Sequence, residues 1–373
     1  MKFYILLIIF LSTIYGCSDS KRSNIVSTIT RNNSEITKSF LNQLKADTVT
    51  LPLSSLVEGC ELVQLEYTEE ALFIPNNTIV TNDYIGVSQE VGSYKLFSRS
   101  GKFLCNVGSV GQGPGEYISI NDGIIDEQNE LIYLVPLLTG NKIFVYNTSG
   151  RFLKNIEVPR NMLSPILFLS NDILTVVYVL QTIDKSMATQ INIHTGQVVS
   201  EFTTQISQHG RFGFRTSRNM QDIFDIVHGA SDTIYHYDMS NYSLRPIFTT
   251  SDNFSEETIK RYIQLNKDFV LTIILHRGLV ATDIKNQRSS WIKVKNDYFG
   301  NLDIPISTNS FRNGYYVYNI QPEQLMEVIE QRLTESNCTE KDRQILIETL
   351  STLEENTNNV VFIGKLKNEV KAN

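Results

Sequence analysis

The chain has 373 residues, with 33 basic and 40 acidic side chains and a formal net charge of −7. This acidic balance argues against nucleic acid as a partner, because proteins that bind nucleic acid present a basic surface. Only four residues are cysteines, so disulfide bonds cannot replace a hydrophobic core, and the length allows a large core or two domains.

The N-terminal segment MKFYILLIIFLSTIYGC has a basic start, an apolar stretch of about a dozen residues and a small residue before Cys17. This pattern predicts a secretory signal peptide over 1–16, because the apolar stretch is shorter than the roughly 20 residues of a membrane-spanning helix. Ile14-Tyr15-Gly16-Cys17 resembles the lipobox of bacterial lipoproteins, in which the cysteine is acylated and becomes the mature N-terminus. The resemblance implies lipid attachment at Cys17 and anchoring in the bacterial cell envelope, with the outer membrane favoured and its periplasmic or surface face left open.

Cys60, Cys105 and Cys338 remain after the lipobox cysteine. Three is an odd number, so at most one disulfide can form within the chain and at least one thiol stays free.

Residues 17–49 are rich in Ser, Thr, Asn and Lys and lack a sustained apolar pattern. We predict that this segment is a tether between the membrane and a globular part over 50–373.

Short strands with a regular spacing dominate the globular part. FSRSGKFL, YNTSGRFL and NIHTGQVV each carry a glycine between two stretches of alternating polarity, at Gly101, Gly150 and Gly196. Two further hairpins are predicted at 233–248 and 279–294. A repeat of about 50 residues, each several strands long, is typical of a β-propeller, and six copies fit the available length. The predicted fold is therefore an all-β, six-bladed β-propeller.

A helical pattern interrupts the strands at 322–356, with a predicted break near Ser336 that divides it into two helices. A last strand follows at 359–367. We expect residues 60–67 to complete the last blade beside 314–321 and 359–367, because a propeller ring closes by pairing its two ends and so removes its open edges.

The glycine-rich run GSVGQGPGEY at 108–117 lies between the outer strand of one predicted blade and the inner strand of the next. A phosphate-binding loop is disfavoured, because no Lys-Ser or Lys-Thr follows the glycines and no helix begins there. We interpret the run as a corner in which Glu116 accepts backbone N–H groups and Tyr117 packs between blades. The residues assigned to this structural loop are Gly111, Gly113, Pro114, Gly115, Glu116 and Tyr117.

The longer stretch SGKFLCNVGSVGQGPGEY resembles a signature of the six-bladed β-propeller lipoproteins of Bacteroidota, and LPLSSLVEGCELVQLEYTEEALF at 51–73 resembles the opening of that family. The resemblance covers roughly residues 50–370. It implies the propeller fold and no particular activity.

The most suggestive binding segment is QHGRFGFRTSRNM at 208–220, which falls on the predicted inner strand of the fourth blade. Its basic residues would face the central channel and suit a carboxylate or an acidic sugar. For this segment we favour the alternative, a polar channel in which water or neighbouring aspartates satisfy these charges. The candidate ligand-binding residues are His209, Arg211, Arg215 and Arg218.

The rival interpretation is an envelope hydrolase or lyase that acts on a lactone or glycan through the central channel. Asp122, Asp126 and Asp225 could approach the channel, but no spacing singles them out as ligands of a cation such as Ca²⁺. We therefore predict no catalytic residue, no metal site and no cofactor. The favoured interpretation is a monomeric binding or scaffolding module whose partner is an envelope protein or an acidic sugar or peptide.

Overall fold

The computed structural model of the chain describes residues 25–31, 34–137, 140–179, 186–204, 214–220, 223–228, 232–238, 243–252, 254 and 258–368. In these ranges β-strands dominate, and no helix is both long enough and apolar enough to cross a membrane. The predicted signal peptide, Cys17, His209 and Arg211 lie outside the described residues.

Four strands precede the first complete blade. They are β1 (Val26–Arg31), β2 (Ser34–Phe40), β3 (Thr48–Pro52) and β4 (Glu61–Gln64), with short 3-10 helices at Leu41–Gln43, Leu53–Ser55 and Glu69–Ala71.

Six antiparallel sheets then form the blades, as predicted, and the chain is an all-β, six-bladed β-propeller. Blade 1 contains β5 (Pro75–Val80), β6 (Tyr84–Gln89), β7 (Tyr94–Ser98) and β8 (Phe103–Val107). The short strands β9 (Ser109–Val110) and β10 (Glu116–Tyr117) join it to blade 2, with β11 (Ile120–Asp126), β12 (Leu131–Pro136), β13 (Lys142–Asn147) and β14 (Phe152–Glu157). Blade 3 contains β15 (Leu163–Ser170), β16 (Ile173–Val179), β17 (Ser186–Asn192) and β18 (Val198–Thr204).

The second half of the ring repeats the arrangement. Blade 4 contains β19 (Phe214–Arg215), β20 (Phe224–His228), β21 (Thr233–Asp238) and β22 (Ser243–Ser251). Blade 5 contains β23 (Lys260–Asn266), β24 (Phe269–Ile274), β25 (Gly278–Asp283) and β26 (Arg288–Asn296), followed by β27 (Leu302–Asp303). Blade 6 begins with β28 (Phe311–Arg312) and β29 (Tyr315–Ile320), and β30 (Val360–Lys365) follows two helices, α1 (Pro322–Thr334) and α2 (Glu340–Thr352).

The ring closes at blade 6, whose strand order is β28-β29-β30-β4. Val361 of β30 pairs with Val63 of β4, so a strand from the N-terminal part completes the last blade. The predicted seam is confirmed: the N-terminal strand β4 pairs with the C-terminal strand β30 and so joins the two ends of the ring.

The hydrophobic core is divided among the interfaces between neighbouring blades. Successive residues of a strand point to opposite faces of its sheet. In blade 6, Tyr316 therefore packs towards blade 5, while Val317 packs towards blade 1. Both faces of each blade are buried in this way, which explains the nearly continuous apolar character of the middle strands.

The predicted tether over 17–49 is wrong for the described residues from 25 onwards. β2 pairs in parallel with β22 and carries β1 on its other edge, while β3 pairs in parallel with β26. These strands form with few apolar residues, because the edge strands of blades 4 and 5 supply the hydrogen-bond partners of their backbones. Apolar side chains such as Val26 and Ile36 are buried there.

The glycine-rich run between blades 1 and 2 forms a corner built on Glu116. The Gly113 N–H donates to Glu116 Oε2 at 2.8 Å, and a Cβ atom at Gly111 would overlap the same carboxylate. Gly115 has φ +73° and lies against Phe152, so a side chain has no room there. The buried Tyr117 hydroxyl donates to the Val107 carbonyl and accepts from the Tyr94 N–H, which joins the two blades. Pro114 lies between Gly113 and Gly115 in the same loop.

The two helices lie beside the junction of blades 5 and 6, on the loop that ends with Gly300 and Asn301. Arg332 Nε donates to the Gly300 carbonyl at 3.0 Å, and Asn301 donates to Asp342 at 2.9 Å. Thr339 and Asp342 form a capping box that starts α2. Neither helix lines the cavities on the propeller axis, so the insertion lies on the periphery of the ring and does not cover the channel.

Candidate functional site

The first strands of the six blades surround a cavity of about 280 Å³ at one end of the central channel. We call it the arginine cavity, because two arginines line it. A larger cavity of about 1200 Å³ opens at the opposite ends of the same strands. One lining residue of the arginine cavity from each blade in turn is Asn77, Asp122, Ile166, Arg215, Tyr262 and Arg312.

Asp122 connects the charged groups in and beside the arginine cavity. Its Oδ1 accepts from Arg312 Nη2 at 2.6 Å, and its Oδ2 forms an ion pair with Arg218 and accepts from the Leu167 N–H at 3.0 Å. The Asp122 side chain is only 4% exposed, and those of Arg218 and Arg312 are 7% and 13% exposed. One carboxylate on blade 2 therefore binds groups from blades 3, 4 and 6 in a buried environment.

Burial and ion pairing shift the pKa values of Asp122 and Arg218 in opposite directions. Burial alone would raise the pKa of Asp122, but Arg218 and Arg312 outweigh it and hold the pKa below its ordinary value. Burial lowers the pKa of Arg218 to about 10, although Asp122 opposes that change. Asp122 and Arg218 are thus both charged at neutral pH.

A second aspartate, Asp225 on β20, positions the segment that carries Arg218. Its carboxylate accepts from the Thr216 hydroxyl at 2.9 Å, from the Ser217 N–H at 2.9 Å and from the Arg218 N–H at 3.0 Å. Arg218 has φ +52°, a conformation that costs a residue other than glycine some free energy. These hydrogen bonds maintain that backbone and direct Arg218 towards Asp122.

Arg215 is placed differently, because it faces the cavity without an acidic partner among the described residues. Its Nη1 donates to the Thr308 hydroxyl at 2.8 Å. Packing around the side chain lowers the pKa of Arg215, and the positive charges of Arg261 and Arg312 lower it further. The mouth of the cavity therefore concentrates positive charge.

Arg312 is the residue that sequence reasoning missed. It lies on a two-residue strand, β28, whose sequence Phe-Arg is the same as that of β19, where Arg215 lies. The repetition of this dipeptide at the start of two blades is the signal that could have revealed it. Arg312 Nε and the side-chain oxygen of Asn77 are both buried and have no hydrogen-bond partner among the described residues.

The structure separates the predicted ligand-binding residues. Arg215 lies in the arginine cavity, and Arg218 lies between the two cavities with its guanidinium group bound to Asp122. His209 and Arg211 are outside the described residues. For Arg218, the alternative of a charge satisfied by a neighbouring aspartate is the one observed.

The aspartates considered for a metal site do not converge on a common point. Asp122 binds arginines, Asp225 binds backbone and hydroxyl groups, and Asp126 accepts from the backbone and side chain of Asn129. The described part of the chain contains no group of three or more His, Cys, Asp or Glu side chains that could hold a metal ion. Cys60, Cys105 and Cys338 are free thiols.

Comparison with known proteins yields a family without an assigned activity. Residues 36–365 match the model of the family described as Domain of unknown function (DUF4934). Among curated proteins, none matches this chain.

Solved structures match the fold at low sequence identity. A candidate exported protein from Bacteroides fragilis NCTC 9343 is 13% identical, with a TM-score of 0.58 over 86% of this chain and 100% of that chain. A DUF4221 family member from Bacteroides vulgatus ATCC 8482 is 10% identical, with a TM-score of 0.47 over 84% of this chain and 98% of that chain.

Proposed function

The chain belongs to the family Domain of unknown function (DUF4934), and we propose that it is a lipid-anchored binding module of the bacterial cell envelope whose arginine cavity takes an anionic group, above all a carboxylate. The observation that carries this proposal is the charge of the cavity. Two arginines, Arg215 and Arg312, line the cavity together with one carboxylate, that of Asp122, which also binds Arg218, so positive charge is in excess among the described residues.

The chemistry of the cavity supports an anion over a neutral ligand. Guanidinium groups bind carboxylates and phosphates through charge-assisted hydrogen bonds, which are stronger than neutral ones. Arg312 Nε is a buried donor without an acceptor among the described residues, and leaving such a donor unpaired is costly. The volume of about 280 Å³ lies at the small end of the range for ligand pockets, which suits one charged group.

The envelope location rests on the signal-like N-terminal segment, on Cys17 and on the fold shared with a candidate exported protein. The geometry adds that the chain enters the propeller on the same face as the arginine cavity, at the outer edge of blade 4. The Ile25 carbonyl accepts from the Phe40 N–H, and Phe40 pairs with Ser251 on the cavity side of blade 4. The segment from Cys17 to Ile25 spans at most about 30 Å, so this edge of the face that carries the cavity would lie within about 30 Å of the membrane.

Replacing Cys17 with Ala is expected to move the protein from the membrane fraction to the soluble fraction, because acyl chains on that cysteine provide the anchoring free energy. Fractionation of cells that express the two chains, followed by immunoblotting, measures the distribution. A variant chain that stays in the membrane fraction would overturn the anchor and leave the anion site untouched.

Arg215→Met is expected to weaken binding of N-acetylglutamate at least about tenfold, because a hydrogen bond to a charged group contributes about 1.5–3 kcal/mol. We expect a millimolar dissociation constant for the unaltered chain, measured by isothermal titration calorimetry on the detergent-solubilised protein. N-acetylglutamine amide (Ac-Gln-NH₂), in which amides replace both carboxylates, should not bind. Thermal stability should not fall, because the substitution relieves repulsion with Arg261 and Arg312.

The matched control for this test is Arg151→Met. Arg151 is exposed on the hairpin of blade 2 that lies away from the arginine cavity, so its loss changes the net charge equally without changing the site. Equal weakening by both substitutions, or binding of Ac-Gln-NH₂ as strong as that of N-acetylglutamate, would refute a carboxylate site in the cavity.

A further inference from the structure

Exposed apolar side chains are concentrated beside the arginine cavity. Ile74, Val91, Ile118 and Leu137 are 79%, 66%, 53% and 49% exposed, and all four lie on the cavity side of blades 1 and 2. Single exposed apolar residues are common on protein surfaces, but several adjacent ones mark an interaction site.

Hydrogen bonds connect the segments that carry these four residues, which we call the apolar rim. The Ile74 N–H donates to the side chain of Gln89, near Val91. The Gly92 N–H donates to the Ile118 carbonyl at 3.1 Å, and the Leu137 N–H donates to the carbonyl of Ser119 at 2.8 Å. The segments of the rim are thus linked in series from the start of blade 1 to blade 2.

The apolar rim leads directly into the arginine cavity. Ile74 lies just before Asn76 and Asn77, and Ile118 lies just before Asn121 and Asp122, all of which line the cavity. When one group of a ligand occupies the cavity, the neighbouring part of the ligand on the side of blades 1 and 2 would therefore contact the apolar rim.

A second apolar pair lies across the cavity on blade 5. Ile259 and Leu275 are each 39% exposed and are joined by a hydrogen bond from the Leu275 N–H to the Ile259 carbonyl at 3.0 Å. Blade 5 is opposite blade 2 in the ring of six. The cationic centre is therefore flanked by apolar surface on two opposite sides.

This arrangement fits an extended protein segment better than a small polar acid. A small acid would use the arginines and leave both apolar surfaces in water. Protein interfaces combine an apolar centre with arginine hot spots, and a cavity of about 280 Å³ admits one side chain or one chain end.

We propose that the propeller binds an extended peptide segment of a partner protein, with a carboxylate in the arginine cavity and flanking apolar side chains on the apolar rim and on the Ile259–Leu275 pair. This inference rests on the proposed anion site. The carboxylate is a Glu or Asp side chain or the C-terminal group of the partner, since both present the same atoms to Arg215 and Arg312.

The test is fluorescence anisotropy of labelled peptides with the full chain in mild detergent. Ac-Leu-Val-Glu-Val-Leu-NH₂ supplies an internal carboxylate, and Leu-Val-Leu-Val with a free C-terminus supplies a terminal one. The Gln counterpart of the first peptide and the C-terminal amide of the second are the neutral controls. At least one acidic peptide should bind about tenfold more tightly than N-acetylglutamate, because apolar burial adds to the ion pairing, and its neutral control should lose that binding.

Substitutions on the surface separate the apolar contribution from the charge. The double variant Val91→Ser and Ile118→Ser should weaken peptide binding about tenfold while N-acetylglutamate binding stays unchanged. Val199→Ser is the matched control, because Val199 is a similarly exposed valine, at 58%, on the outer strand of blade 3. Circular dichroism verifies that each variant is folded.

The outcomes separate this inference from the proposed function. Peptides that bind no more tightly than N-acetylglutamate overturn the peptide partner and leave the anion site standing. Absence of binding by N-acetylglutamate and by both peptides overturns both. Loss of binding to vesicles of phosphatidylglycerol in the double variant, with peptide binding unchanged, assigns the apolar rim to the membrane surface and overturns the inference.

Discussion

Asp122→Asn is expected to lower the free energy of unfolding by about 3–5 kcal/mol, because it leaves two buried arginines without their counter-charge. The unaltered carboxylate binds Arg218, Arg312 and the Leu167 N–H, and the change removes the charge without changing the shape of the side chain. Urea unfolding, followed by the fluorescence of the single tryptophan, Trp291, measures the loss.

The control for this substitution is Asp126→Asn on the same strand. Asp126 is similarly buried, at 8% exposure, but accepts hydrogen bonds only from Asn129 among the described contacts, so its loss should cost about 1 kcal/mol. Adding Arg312→Met to the Asp122 variant should restore part of the stability, because it removes one unpaired buried cation. Equal losses for the two aspartates would show that the ion pairs do not stabilise the ring.

The pH dependence provides an independent test. The pKa of Asp122 is lower in the folded chain than in the unfolded chain, so its ionisation stabilises the fold above the unfolded pKa of about 3.9. That contribution is lost as the pH falls through the folded pKa. The stability difference between the unaltered chain and Asp122→Asn should therefore be constant from about pH 8 to 5 and narrow only below about pH 4.

The repeated fold was predictable from the sequence because its signals are local. The hairpin glycines, the alternating strands and the helix start at Pro322 each depend on a few neighbouring residues. The closure of the ring by β4 was also predictable, since an unpaired strand near the start matches a blade that lacks one at the end.

The N-terminal strands and the charge network were not predictable in the same way. β2 and β3 pair with residues about 200 or more positions away, and their polar composition is compatible with a strand only when another sheet offers its edge. Likewise, Asp122 was recognised as a channel residue, but its pairing with Arg312 joins blades 2 and 6, which are not neighbours in the ring. Which arginine pairs with Asp122 depends on how the six blades close into a ring, and no local sequence pattern encodes that closure.

The three hairpin glycines have the same backbone conformation but different surroundings. Gly101, Gly150 and Gly196 have φ +90°, +80° and +69°. A Cβ atom at Gly101 would overlap the carbonyl oxygen of Gln64 on the outer strand of blade 6, and one at Gly150 would overlap that of Asn106 on blade 1. At Gly196 nothing lies within 4 Å of such an atom. Gly196 is therefore a control for substitutions at Gly101 and Gly150, because it has the same backbone conformation without the contact to a neighbouring blade.

We expect Gly196→Ala to cost about 1 kcal/mol of unfolding free energy, which is the conformational cost of a left-handed backbone for alanine. Gly101→Ala and Gly150→Ala should cost about 3 kcal/mol or more, because each adds overpacking against a backbone that cannot move independently of its blade. The Gly101 carbonyl also accepts from the Glu66 N–H beside the closing strand β4. A shift of the backbone in Gly101→Ala would therefore weaken this hydrogen bond as well. Thermal and urea unfolding of the three variants measure the costs, and equal losses at all three positions would mean that the hairpins do not hold neighbouring blades in place.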